Sequence, residues 1–223
     1  MQNLKIFQVF SISLLLLVAR CKKKEADADS DQHSSIKSIS EKLYLPVEVG
    51  GNWEKGDLAD TGHSLKIFDD DGIHFQTEHY DENMMLTEKV VFFRVDGKVV
   101  SEEIFDSEGA VEMKKAINQI SKSENEFEIF NGEGQKLAWG KLKLKDENPL
   151  EETFSTEHGT TVTKFIYDEQ GNVLSISTYN DENGTEFHRS YEYLEFDERG
   201  NWTKSLVYMD GELMYISIRE ITY

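Results

Sequence analysis

Cysteine is almost missing from this chain, which has one in 223 residues, so no disulfide can form within it. Proline is nearly as scarce, at two residues, which excludes a proline-rich linker or recognition segment. Long apolar runs are missing too. The longest, Ile6 to Ala19, is broken by Gln8, Ser11 and Ser13 and is too short for a comfortable helical membrane span. Cations are few, 24 Lys and Arg against 43 Asp and Glu, for a net charge of −19. A field of that sign repels phosphate backbones and anionic headgroups, which excludes nucleic acid and leaves a basic protein, a cation or a neutral ligand. No G-x-S-x-G elbow, Walker loop or H-E-x-x-H stands in the sequence, so no catalytic residue, cofactor or metal is expected.

What is present begins with an address. Lys5 followed by the run to Ala19 has the charged and apolar regions of a secretory signal. Cys21 follows at once, and the arrangement resembles a bacterial lipoprotein signal in which Cys21 becomes the lipidated first residue. Val18 and Ala19 suit such a signal, whereas Arg20 stands where a small residue is expected. The start CKKKEADADSD is similar to that of Bacteroidetes-type lipoproteins. The resemblance implies a signal peptide over 1–20 and a lipid-borne attachment to a membrane of the cell envelope, on its periplasmic face or at the cell surface. Residues 21–40 are polar and cannot bury enough surface to fold, so they read as a tether. Counted from Asp27 as a calcium loop, the run places Gln32 and Ser38 where glycine and glutamate are required, so it is a solvated spacer.

From 41 to 223 the sequence is punctuated by one phrase: an aromatic, Asp or Asn, two free positions, then Gly. It stands at Phe68–Gly72, Phe105–Gly109, Phe130–Gly134, Tyr167–Gly171 and Phe196–Gly200. The acid can accept backbone hydrogen bonds across a turn, and the glycine supplies the positive φ of a type I turn followed by a bulge. Asp168 with Gly171, and Asp197 with Gly200, are thus turn-formers with a structural role. The starts at 68 and 130, and those at 105 and 167, are both 62 positions apart, as duplicated hairpins would leave them. Asp96-Gly97, Asn183-Gly184 and Asp210-Gly211 read as two-residue hairpins. Between turns lie strand-like segments. In LAWGKLKLK the apolar positions change parity across Gly140, which predicts a bulge there. Met113, Ala116, Ile117 and Ile120 follow a helical spacing and predict one short helix.

YDEQGNV and FDERGNW resemble YD repeats of the RHS family, with the good matches over 164–223. The resemblance implies β-hairpins, with Tyr167, Asp168, Gly171, Phe196, Asp197 and Gly200 in turn positions. Long arrays in that family form enclosing shells, and some members bind carbohydrate; five copies are too few to enclose a cargo. The fold expected is mainly β, an antiparallel meander of hairpins in a curled or barrel-like sheet, with that helix.

Functional candidates are few. The histidines are His33, His63, His74, His79, His158 and His188. The odd separation of His74 and His79 predicts opposite faces of a strand, a poor metal pair. Trp202, with Asn201 beside it, follows a turn, and Trp53 sits in a similar GNW context. Either indole could stack on a sugar at a sheet rim or fill the core, and the core is the commoner fate. The expectation is a non-catalytic, lipid-anchored binding or structural module. The rivals are an immunity-type acidic partner of a basic toxin and a carbohydrate-active enzyme.

Overall fold

The computed structural model describes residues 35–223; the expected signal peptide, Cys21, His33 and most of the expected tether lie outside the described residues. Fourteen antiparallel strands, β1 to β14, follow one another round a closed barrel in chain order. They are β1 (Ser38–Val49), β2 (Asn52–Phe68), β3 (His74–Tyr80), β4 (Leu86–Val95), β5 (Lys98–Asp106), β6 (Val111–Gln119) and β7 (Glu124–Asn131). The circuit continues with β8 (Lys136–Lys145), β9 (Asn148–Ser155), β10 (Thr160–Tyr167), β11 (Val173–Asn180), β12 (Thr185–Phe196), β13 (Trp202–Met209) and β14 (Glu212–Thr222). β1 closes on β14 from Ser38↔Thr222 to Tyr44↔Ile216. Closure pairs the two strands that an open meander would leave as edges. The barrel starts three residues ahead of the expected boundary at 41, and Ile36 and Ile39 are buried with Phe68.

Side chains alternate between an inner and an outer face. In β7, Phe127 and Ile129 are buried while Glu126 and Glu128 stand outside; in β8, Ala138 and Leu142 are buried while Lys141 and Lys143 are exposed. Apolar clusters line the inner face. One holds Val90, Phe92, Ile104 and Met113, another Phe127, Ile129, Ala138 and Phe154.

The phrase of aromatic, Asp and Gly does build the turns. Oδ1 of Asp69, Asp106, Asn131, Asp168 and Asp197 accepts the backbone N–H four residues on, at 2.7–2.9 Å. Gly171 and Gly200 hold φ of 90° and 81°. A sixth turn of this kind lacks the glycine: in YDENM, Asp81 accepts from Met85 N–H at 2.8 Å, and Met84 itself takes φ 63°. The 62-residue spacing is no structural repeat, because turns five strands apart in a meander lie at opposite ends of the barrel. Turns at one end instead follow Tyr80, Phe105, Phe130, Ser155 and Asn180, 25 positions apart, one hairpin each.

Four further expectations are corrected. The helix is absent, and its residues form β6, paired with β5 and β7. Met113 and Lys115 are buried on the inner face, and the charge at Lys115 hid the period of two. Gly140 is not a bulge: the ladder runs unbroken through Phe127↔Gly140 and Gly140↔Phe154, and the register shifts at Leu137. Asn183-Gly184 ends a four-residue turn over 181–184, in which only Gly184 has positive φ, whereas Asp96-Gly97 and Asp210-Gly211 have positive φ at both positions, as a two-residue type I′ turn requires. His74 and His79 share the inner face, because Phe75 bulges out of the β2–β3 ladder and restores their parity.

One element leaves the wall. Beyond Lys42 the β1–β2 register jumps from Lys42↔His63 to Tyr44↔Leu58, and Ala59 to Gly62 are accommodated opposite Leu43. A Cβ at Gly62 would stand 2.6 Å from the Leu43 carbonyl oxygen, so this crowded corner suits glycine. The hairpin tip then forms an arm, whose Trp53, Glu54 and Lys55 face Glu195, Thr203, Lys204 and Ile218 across a cleft. Ile216 pairs with Tyr44, where the arm begins. Its neighbour Ser217 points inward to Glu41, so Ile216 points outward, yet it is 0% exposed.

Candidate functional site

Charged side chains of the inner face gather in three groups. In the first, on β2–β4, His74 Nε2 lies 2.8 Å from Thr77 Oγ1, and its ring packs against Phe68 and Phe92. His79 Nε2 lies 4.0 Å from Glu88 Oε1. Burial, with the Lys66 ammonium nearby, lowers His74 to about 3 and His79 to about 4, so both rings are neutral at physiological pH. Burial, with Glu112 adding to it, pushes Glu88 up to about 7.

In the second, Lys115 Nζ lies 3.9 Å from Glu102 Oε1 and 4.5 Å above the Phe127 ring. Glu152, also buried, is raised to about 7 by desolvation against the pull of Lys115. Burial works against the Lys115 ammonium, and Glu102 and Glu152 overcome it, so its pKa ends above the ordinary value.

In the third, Arg219 donates through Nε and Nη2 to Glu41 Oε2 at 2.9 and 2.8 Å, and Ser217 donates to Glu41 Oε1 at 2.9 Å. Burial raises the Glu41 carboxyl, but Arg219 and Lys66 outweigh it and hold the group below its ordinary value. The same guanidinium lies 3.4 Å over the Trp202 ring, with Tyr193 at 5.2 Å.

Trp202 is therefore buried, 8% exposed, with a cation already stacked on it, and is no sugar platform. Asn201 serves its own turn: its N–H is accepted by Asp197, and its side chain donates to the Tyr223 hydroxyl at 2.8 Å. Tyr223 in turn donates to Asp197, whose carboxyl is desolvated but held below its ordinary value by these donors. Asp168 and Gly171, Asp197 and Gly200 lie in turns at one end of the barrel, apart from the inner-face groups.

Two clefts on the outer face each contain a half-exposed tryptophan. The arm cleft, about 450 Å³, contains Trp53, 49% exposed. The other, about 380 Å³ on β6–β8, contains Trp139, 44% exposed. Lys136 Nζ lies 5.5 Å over the Trp139 ring, while no cation or ring is stacked on Trp53 among the described residues. The GNW context puts Trp53 beside a turn, but the arm's return over the wall depends on residues far along the chain.

Among the described residues no three His, Cys, Asp or Glu side chains converge at metal-binding distance. No family model matches the chain, and no curated protein matches its sequence. Among solved structures, a porin-like protein from Bacteroides uniformis is similar at 9% identity, over 84% of this chain and 98% of that one, with a TM-score of 0.45. A likeness this distant assigns no function.

Proposed function

We propose that the protein is a water-soluble β-barrel carried at the cell envelope by a lipid on Cys21, and that it acts as a non-catalytic binding or structural module. The supporting observation is the outer wall. Lys114 pairs with Glu103 at 2.9 Å, Lys141 with Glu126 at 2.9 Å and Lys143 with Glu151 at 2.8 Å, all from outward positions within strands. A membrane-spanning barrel needs an apolar outer band, and a lysine facing lipid at the midplane costs about 2–4 kcal/mol. This wall suits water. The inner charged groups are engaged with one another, an arrangement that serves structure more readily than turnover.

Fractionation of cells expressing wild type and Cys21→Ser tests the reading. The wild type should take up labelled palmitate and sediment with membranes, and the variant should do neither. A variant that still sediments and resists extraction by carbonate would sink it. A second reading is favoured by where the charge lies. The inner face is close to balanced, with Lys66, Arg94, Lys115, Arg189 and Arg219 beside Glu41, Glu88, Glu102 and Glu152, so most of the acidic surplus is outside. That surface suits a basic protein partner, and a cationic protein retained by the barrel and released by moderate salt would support it.

A further inference from the structure

We infer that the cleft between the β1–β2 arm and strands β12–β14 is a binding site for a neutral sugar, with Trp53 as its stacking platform. The inference deepens the binding-module reading above and rests on it. Three observations converge on the cleft. Its volume, about 450 Å³, lies within the range of small-molecule sites. It has two walls of independent origin, the arm and the barrel, so a ligand would sit between them rather than lie on a flat sheet. Trp53 is 49% exposed in it, and no cation or ring is stacked on it among the described residues.

The charges of the cleft select the ligand class. Lys204 pairs with Glu195 at 3.4 Å, Lys55 lies over the Tyr44 ring at 5.1 Å, and Arg219 is held by Glu41 at 2.8 Å. Each cation is already engaged, so the cleft offers little net charge to an ion. What it offers is an indole face with carboxylate, hydroxyl and ammonium groups around it, from Glu54, Glu195, Thr203 and Lys204. A pyranose has the complementary make-up: a C–H face that stacks on an aromatic ring, and hydroxyls that both donate and accept. A phosphorylated or acidic ligand would find these cations already engaged and would be disfavoured by the net charge of −19 of the whole chain. Trp139 is the internal comparison, since it is similarly exposed but Lys136 already lies over its ring.

Intrinsic fluorescence and calorimetric titration of the domain with neutral gluco-, manno- and xylo-oligosaccharides test the site. At least one series should bind saturably and shift tryptophan emission. Trp53→Ala should weaken binding by about tenfold or more, Trp53→Phe should keep part of it, and Trp139→Ala should leave it unchanged. Thermal unfolding of each variant should match wild type, because Trp53 is on an exposed arm. Failure of every series to bind, or binding unaffected by Trp53→Ala, would overturn the assignment. A domain that stays in water and binds no sugar would sink this inference while leaving the soluble-barrel reading standing.

Discussion

At Gly140 a methyl group would meet Phe127 Cζ at 2.4 Å and the Thr153 carbonyl oxygen at 2.1 Å, so an aromatic ring lies where a side chain would otherwise be. The glycine is there for close approach, and its φ is not positive. Gly171 is the opposite case: nothing stands within 4 Å of a Cβ, but φ is 90°. Met84 occupies the equivalent turn position with φ 63° and bears that strain uncompensated by burial, being exposed. Denaturant midpoints should separate the three. Gly140→Ala should lose roughly 3 kcal/mol through the clash, and Gly171→Val about 1–3 kcal/mol through strain. Met84→Gly should gain up to about 1 kcal/mol. Equal losses in all three would refute this division of causes.

Single strands show what the sequence could disclose. The turns were legible, because Asp168 and Gly171 act within five residues and need no distant partner. The strand character of β6 was not. Met113, Ala116, Ile117 and Ile120 happen to fit a helix, and only pairing with β5 and β7 reveals that Lys115 is an inward residue. The shared face of His74 and His79 is hidden for a similar reason, since the Phe75 bulge is set by the β2–β3 ladder.

The elements bearing these buried groups carry a pH dependence. In the native state Glu88 on β4 and Glu152 on β9 hold their protons to about 7, against an ordinary value of 4.5. The folded form then binds more protons, so these two lower stability as pH rises from 4.5 to 7. His74 and His79 on β3 charge only near 3 and 4, against an ordinary 6.5, so the unfolded form binds more protons and stability rises with pH from about 4 to 6.5. The two trends oppose each other in the wild type. Replacing both acids, Glu88→Gln with Glu152→Gln, should leave a stability curve that climbs to about pH 6.5 and then levels, with the variant ahead of wild type above pH 7. Parallel curves for the two proteins would contradict this.

At the scale of the molecule, closure joins β1 to β14 and gives each strand two partners, with one face turned inward and the other outward. Hairpins, meander and barrel-like curvature could be read from spacing, and so could the 25-residue period had the phrase at Tyr80 been admitted without its glycine. Full closure could not, because it depends on Ser38 meeting Thr222 at the far end of the chain. The central claim concerns what the outer face touches. Glu103, Lys114 and Lys141 lie on it, and Ile129 lies within. If Cys21 is lipidated as proposed, a cysteine introduced at any of these is the only free thiol in the chain. The deciding measurement is labelling of Glu103→Cys, Lys114→Cys, Lys141→Cys and Ile129→Cys by a membrane-impermeant maleimide, on membranes before and after detergent. A water-facing barrel predicts that the three outer positions label equally fast in both conditions and that Ile129→Cys resists labelling in both. Protection of the outer positions until detergent is added would show that lipid surrounds the wall, and the account would fail.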